Sequence, residues 1–147
     1  MITIAKTFRF EASHVLPRHP GKCSRLHGHS WELKVAVRGW VNHDTGFVMD
    51  YNDLKQLVQD AIIDKVDHQH LGMDDLESAY TRLKSYLVPT ILPKDFYPSS
   101  ENLVVLFADI LNARLDALIR LEGQPSVMLA YVKLKETCTS EAVWTPK

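Results

Sequence analysis

Cys23-Ser24-Arg25-Leu26-His27-Gly28-His29 runs directly into Ser30-Trp31-Glu32-Leu33-Lys34-Val35-Ala36-Val37-Arg38. Side chains at i and i+2 of a strand leave the same face. With a strand beginning near His27, the histidines at 27 and 29 share a face with Trp31, Leu33, Val35 and Val37. Glu32, Lys34 and Arg38 take the other. The alternation predicts a strand over residues 29–40 whose apolar face is prolonged by two imidazoles.

The N-terminal run repeats the pattern. Ile2, Ile4, Phe8, Phe10, Ala12 and His14 share one parity, with Lys6 the exception, while Thr3, Thr7, Arg9, Glu11 and Ser13 share the other. Residues 2–13 therefore read as a strand, and His14 ends its apolar face. A buried imidazole needs a partner for each nitrogen. Three core histidines, each hydrogen-bonded, would satisfy that need. A His-x-His at a strand start with a third histidine on a neighbouring apolar face favours a shared metal ion on His14, His27 and His29. Three protein ligands leave a fourth position for water or substrate, which argues for catalysis over a purely structural site. Cys23 has two main readings, with a buried inert thiol as a third. As a fourth ligand it would close the site. As a thiolate base or nucleophile it would be supported by Lys22, Arg25 and a nearby metal.

Residues 15–26, with Pro17, Pro20 and Gly21, read as a loop, and Asn42 to Gly46 as a turn before a short extended Phe47-Val48-Met49. A helix begins near Asp50–Asn52, with Leu54, Leu57, Val58, Ala61, Ile62 and Val66 as its stripe. A second helical pattern runs from about Asp74 to Leu87, and Pro89, Pro93 and Pro98 interrupt the chain beyond it. Ser99 or Ser100 can cap a third helix with the stripe Val104, Phe107, Ala108, Leu111, Leu115 and Leu118. Glu101 complements the dipole of that helix. Met128, Ala130, Val132, Leu134 and Glu136 alternate with Leu129, Tyr131, Lys133 and Lys135 as a third long strand, and Ala142-Val143-Trp144 offers a fourth. The order β-β-α-α-α-β-β favours antiparallel pairing with helices on one face, an α+β fold of two layers.

At 147 residues the chain suits a single domain with its own core. A net charge of −1 favours neither nucleic acid nor an anionic membrane as partner. No run approaches the ~20 apolar residues of a spanning helix, and Lys6, Arg9 and Glu11 interrupt the N-terminal apolar run, unlike a signal peptide. Two cysteines are too few for a disulfide framework, so a reduced, cytoplasmic setting is expected.

Other residues carry possible chemistry. Asp67 precedes His68 where a helix ends. The Asp can orient the imidazole, or the histidine can simply complement a helix C-terminus. Glu136 ends an apolar strand face, where a carboxylate is costly unless paired. A ligand with two adjacent N–H donors would satisfy both oxygens, as would an exposed strand end. Arg18, His19, Lys22 and Arg25 form a basic loop, solvated by default and suited to a phosphorylated ligand.

Taken together, Phe10 to His14, Cys23 to His29, Gly46 to Asp50, Asp67 to Leu71, Pro98 to Asn102 and Lys135 to Cys138 resemble the motifs of the 6-pyruvoyltetrahydropterin synthase superfamily. They stand in family order and span most of the chain. The three residues between Cys23 and His27 are similar to the bacterial 6-carboxytetrahydropterin synthases of queuosine biosynthesis, whereas pyruvoyl-type enzymes have a longer gap. The resemblance implies Zn2+ on His14, His27 and His29, Cys23 as general base, and His68 supported by Asp67 as its relay partner. It implies Glu136 as the anchor of a pterin ring, with Ser99 and Ser100 near the same pocket; Arg25 of the basic loop is a further substrate-binding candidate. It also implies a tunnelling fold, a four-stranded antiparallel sheet with helices on one face. Trimers would close into a barrel and stack as a homo-hexamer with sites between subunits. The reaction implied converts 7,8-dihydroneopterin triphosphate to 6-carboxy-5,6,7,8-tetrahydropterin, releasing acetaldehyde and triphosphate. A pyruvoyl-type elimination, an aldolase-like activity on unphosphorylated dihydroneopterin, and a non-catalytic zinc-stabilised pterin-binding domain are the competing expectations. Residues 73–97 form a longer connection than the family pattern, and serines 99 and 100 replace a threonine often found there.

Overall fold

β1 (Ile2–His14) and β2 (His27–Gly39) pair antiparallel in one unbroken register, from Ile2 opposite Gly39 to His14 opposite His27. Directly opposed residues of an antiparallel pair share a face. The register therefore sets Phe8 against Leu33, Phe10 against Trp31, Ala12 against His29 and His14 against His27 on one side. That side is buried from Phe8 to His14 and from Trp31 to Val37. The computed structural model describes residues 1–72, 91–93, 95–122 and 127–147, with the backbone alone at positions 121 and 122. The helical pattern expected over 74–87 lies outside the described residues.

β4 (Met128–Lys135) pairs antiparallel with β2, and β5 (Glu141–Trp144) with β4. The expected alternation of β4 holds only for its second half. Ala36 faces Tyr131 but Val37 faces Leu129, so one extra residue is accommodated on β4. A bulge of this kind flips the parity beyond it. Leu129 is buried with Val132 and Leu134, while Met128 is exposed.

Two expectations about the sheet are corrected. It has five strands among the described residues, in the order β3-β1-β2-β4-β5, and it is mixed. β3 (Gln69–Leu71) runs parallel to β1, with Ala12, Ser13 and His14 facing Gln69, His70 and Leu71. Three residues carry no readable alternation. The strand exists because the chain before it is tied to β1: the His68 N–H donates to the Glu11 carbonyl at 2.6 Å, and the Glu11 N–H donates to Asp67 Oδ1 at 2.9 Å. His68 makes the turn with φ 58°, in the left-handed region. The short extended Phe47–Met49 is not a strand.

α1 (Tyr51–Val58) is capped by Asp50, whose carboxylate accepts from the Asn52 N–H at 2.6 Å. It continues through a π-turn, Gln59–Ile63, into a last turn, Asp64–Val66. The wider π-turn lets Ala61, Ile62 and Ile63 all face inward, which a straight 3.6-residue stripe cannot do. α2 (Ser100–Glu122) buries Leu103, Val104, Phe107, Ala108, Leu111 and Leu115 against the sheet. The result is α+β, with the helices on the face that ends in the histidines.

Trp31 is the keystone under that end. Its ring stacks on Phe10 (centroids 5.9 Å, 3° between planes) and meets the edges of His14 and His29 at 5.2 and 5.3 Å. Its Nε1–H donates to the Ala12 carbonyl at 3.1 Å. Replacing Trp31 with Phe removes that buried hydrogen bond and leaves a void. The expected cost is about 2 kcal/mol, read as a lower denaturant midpoint at unchanged slope.

Candidate metal centre

The antiparallel register delivers His14 and His27 side by side, and His29 one step along the same face. Their ring centroids lie 4.5 Å (14–27), 5.1 Å (14–29) and 5.0 Å (27–29) apart. Their donor nitrogens all fall within 4.8 Å of one another. His14 is fully buried, and the other two are half-buried.

Backbone carbonyls set the orientation of two of the rings. His14 Nδ1–H donates to the Pro98 carbonyl at 2.9 Å, and His27 Nδ1–H donates to the Arg25 carbonyl at 2.7 Å. A neutral imidazole carries one N–H, so both Nε2 atoms present lone pairs. Those two atoms lie 3.0 Å apart. Facing acceptors at that distance repel unless a proton or a cation sits between them. Burial pushes the pKa of His14 down to about 4, against a weaker upward pull from the Pro98 carbonyl, so a proton is the costlier answer near neutrality. His29 Nε2 is buried and has no hydrogen-bond partner. Burial lowers its pKa too, partly opposed by Glu136. Three neutral imidazoles with their second nitrogens engaged or outward are the donor set and outer support that a divalent transition metal requires. The cluster can hold a metal ion.

Glu136 reaches the same place. Continuing the pairing of Leu33 with Leu134 past the end of β4 sets Glu136 across from Trp31, on the histidine face. Its Oε1 stands 3.3 Å from His14 Nε2 and 3.6 Å from His29 Nε2.

The other residues singled out from sequence are scattered more widely. Cys23 is half-buried on a short 3-10 turn, Lys22–Ser24, and its thiol is not in the three-donor group. Arg25 is exposed and supplies its carbonyl to His27. Asp67 Oδ1 lies 3.0 Å from Nδ1 of the exposed His68 ring and also accepts from the Glu11 N–H. His68 lines a cleft of about 430 Å³ with Glu11, Ser13, Ser30 and His70, and His29 of the imidazole cluster borders the same cleft. Within the chain, the Asp67–His68 pair does not join the three imidazoles. Ser99 caps α2, its Oγ 3.4 Å from the Asn102 N–H, while Ser100 Oγ is 3.4 Å from Glu101. Arg18 lies over the ring of Tyr97 at 4.7 Å, tying the basic loop to the segment that supplies the Pro98 carbonyl.

Sequence reasoning missed the two orienting carbonyls, which no residue type announces. It also gave His70 no role. Ser13 Oγ is 3.0 Å from His70 Nδ1, the ring's Nε2 is buried without a partner, and Gly72 lies so close that a Cβ there would fall on the ring.

Comparison with known proteins bears on the whole chain. The sequence model described as 6-pyruvoyl tetrahydropterin synthase matches residues 3–147. The chain is 30% identical over 145 residues to the 6-carboxy-5,6,7,8-tetrahydropterin synthase of Haemophilus influenzae, covering 95% of this chain and 96% of that one. It is 33% identical over 158 residues to the enzyme of the same name from Aquifex aeolicus, covering 95% and 94%. Among solved structures, the 6-pyruvoyl tetrahydropterin synthase of Caenorhabditis elegans superposes with a TM-score of 0.67 at 23% identity, over 99% of this chain and 96% of that one. That likeness concerns the fold.

Proposed function

We propose that this chain, which belongs to the 6-pyruvoyl tetrahydropterin synthase family, is a zinc-dependent 6-carboxy-5,6,7,8-tetrahydropterin synthase. The substrate is 7,8-dihydroneopterin triphosphate. With one water consumed, the products are 6-carboxytetrahydropterin, acetaldehyde and triphosphate. The observation that carries the reading is the cluster of three imidazoles, two of them held by backbone carbonyls so that their free lone pairs face each other. Two near-full-length relatives bear the carboxy-type name, and the short spacing from Cys23 to His27 agrees with it.

His14, His27 and His29 hold the ion. Zinc there supplies Lewis acidity toward oxygens on the pterin side chain. The protein's own groups do the rest. Cys23, as thiolate, removes a proton from the side-chain carbon next to the ring. Glu136 clasps the pyrimidine edge of the pterin, whose two adjacent N–H donors match its two oxygens, and so fixes the reacting carbon. Asp67 holds the His68 ring at 3.0 Å for proton relay. Because that pair does not join its own chain's three-imidazole group, we assign it to the site of a neighbouring subunit. The assembly is a homo-hexamer of two stacked trimers, in the cytoplasm. Ser99, Ser100 and Arg25 border the pterin pocket. Among the described residues no helix is long and apolar enough to cross a membrane.

The test is one incubation of the zinc-loaded protein with 7,8-dihydroneopterin triphosphate, with products identified by mass. Acetaldehyde and 6-carboxytetrahydropterin in equal amounts are expected. Triphosphate release with all pterin carbons retained would identify a pyruvoyl-type elimination instead. Absence of any product would leave a zinc-stabilised binding domain.

A further inference from the structure

We propose that in the pterin-free protein the Glu136 carboxylate occupies the fourth position of the metal, and that an arriving pterin draws it away and thereby opens that position. This rests on the function proposed above and adds a gate to it.

The distances carry the first half. Ligand atoms bound at ~2.0–2.1 Å to a tetrahedral zinc stand about 3.3–3.5 Å from one another. Glu136 Oε1 stands 3.3 Å from His14 Nε2 and 3.6 Å from His29 Nε2. Those match two edges of such a tetrahedron; the carboxylate makes no comparable approach to His27, and a swing of its side chain toward that ring completes the vertex. A carboxylate on the buried face of a sheet needs a counter-charge, and Glu136 has no lysine or arginine partner among the described residues. An ion on the three imidazoles supplies the missing charge.

The second half comes from the chain around Glu136. The residue lies past the last paired residue of β4, and its N–H closes a turn onto the Ser140 carbonyl at 3.2 Å. Its side chain is about a quarter exposed, at 23%. A strand end with that exposure can change rotamer without disturbing the core. The ring edge of a pterin offers two donors to two oxygens, whereas the metal engages Oε1 alone. One carboxylate cannot hold both partners in the same geometry, so pterin and metal compete for it. The empty site is thereby closed to water and to stray ligands, and the substrate that needs the fourth position is the one that frees it.

The experiment uses full-length protein with cobalt(II) in place of zinc, read by visible absorption and by water-proton relaxation. A zinc-binding constant from chelator competition accompanies these. With metal alone, wild type should show no exchangeable inner-sphere water. Glu136→Gln should shift the cobalt bands, admit water, and weaken zinc binding at least about tenfold. Identical spectra, relaxation and zinc affinity in the two proteins would overturn the ligand assignment. Adding 6-methylpterin, which has no side-chain oxygen, to wild type should reproduce the water signal and weaken zinc binding. If the ring binds by its own fluorescence and the cobalt signals stay unchanged, the gate is overturned while the ligand stands. If the ring does not bind, the gate fails because the pterin reading of the site has failed, and the metal-only comparison still decides the ligand. Should Glu136→Gln not fold, the wild-type relaxation measurement decides alone: bound water before pterin is added overturns the proposal.

Discussion

Cys23→Ala should lower turnover by ~10²–10⁴-fold while leaving about one zinc per chain. The size is that of a lost general base. The retained metal is a consequence of position: the three-donor group is complete without the thiol, which sits on the turn before β2. That turn holds itself. Leu16 N–H donates to the Cys23 carbonyl at 2.9 Å, Ser24 N–H to Gly21 at 3.1 Å, and Arg25 N–H to Lys22 at 3.0 Å, none of which involves the Cys23 side chain. The Arg25 carbonyl that fixes His27 is therefore undisturbed in the variant. Single-turnover product formation and metal analysis on the same sample separate the two roles that the sequence leaves open. Loss of zinc together with activity would make the cysteine a ligand. Wild-type rate with full zinc would remove it from the chemistry.

The imidazole cluster is legible in the sequence because β1 and β2 pair without interruption. A period-two pattern identifies a face, and here the face keeps its parity for all of both strands. The same reasoning fails on β4, where a single accommodated residue exchanges Met128 for Leu129 in the core. Bulges depend on the partner strand and leave little local trace. β3 is illegible for a related reason: its three residues are held by the links from Asp67 and His68 to Glu11, long-range bonds that local propensity does not encode. In α1 the stripe names Leu54, Val58, Ala61, Ile62 and Val66 correctly but omits Ile63, which the π-turn rotates inward. The metal site shows the limit in its sharpest form. The imidazoles are read from residue type and spacing, whereas the Pro98 and Arg25 carbonyls that aim them are backbone atoms common to every sequence. The proximity of Glu136 to His14 needs the register across β2 as well as the alternation along β4.

Stripped of metal, the protein should lose roughly 3 kcal/mol of stability as pH falls from about 6.5 to about 4. His14 sets the window. Its ordinary pKa is 6.5, and in the folded chain burial holds it at about 4. Above 6.5 both folded and unfolded chains keep this imidazole neutral, and its contribution is complete. Below 6.5 the unfolded chain takes up a proton that the folded chain refuses, so each pH unit favours unfolding by ~1.4 kcal/mol until the folded ring also protonates near 4. His29 and His70 are shifted in the same direction by burial and add to the slope, Glu136 offsetting part of it at His29. Denaturant melts in excess chelator at several pH values across this window measure the loss, and a flat profile would contradict it. With zinc present the protein starts higher, because an ion that binds only the folded state stabilises it by mass action. That advantage is itself acid-labile, since three imidazoles must be neutral to bind metal. The zinc-loaded and chelated curves should therefore be far apart at about pH 7.5 and converge towards about pH 4, as protons displace the ion from the facing lone pairs.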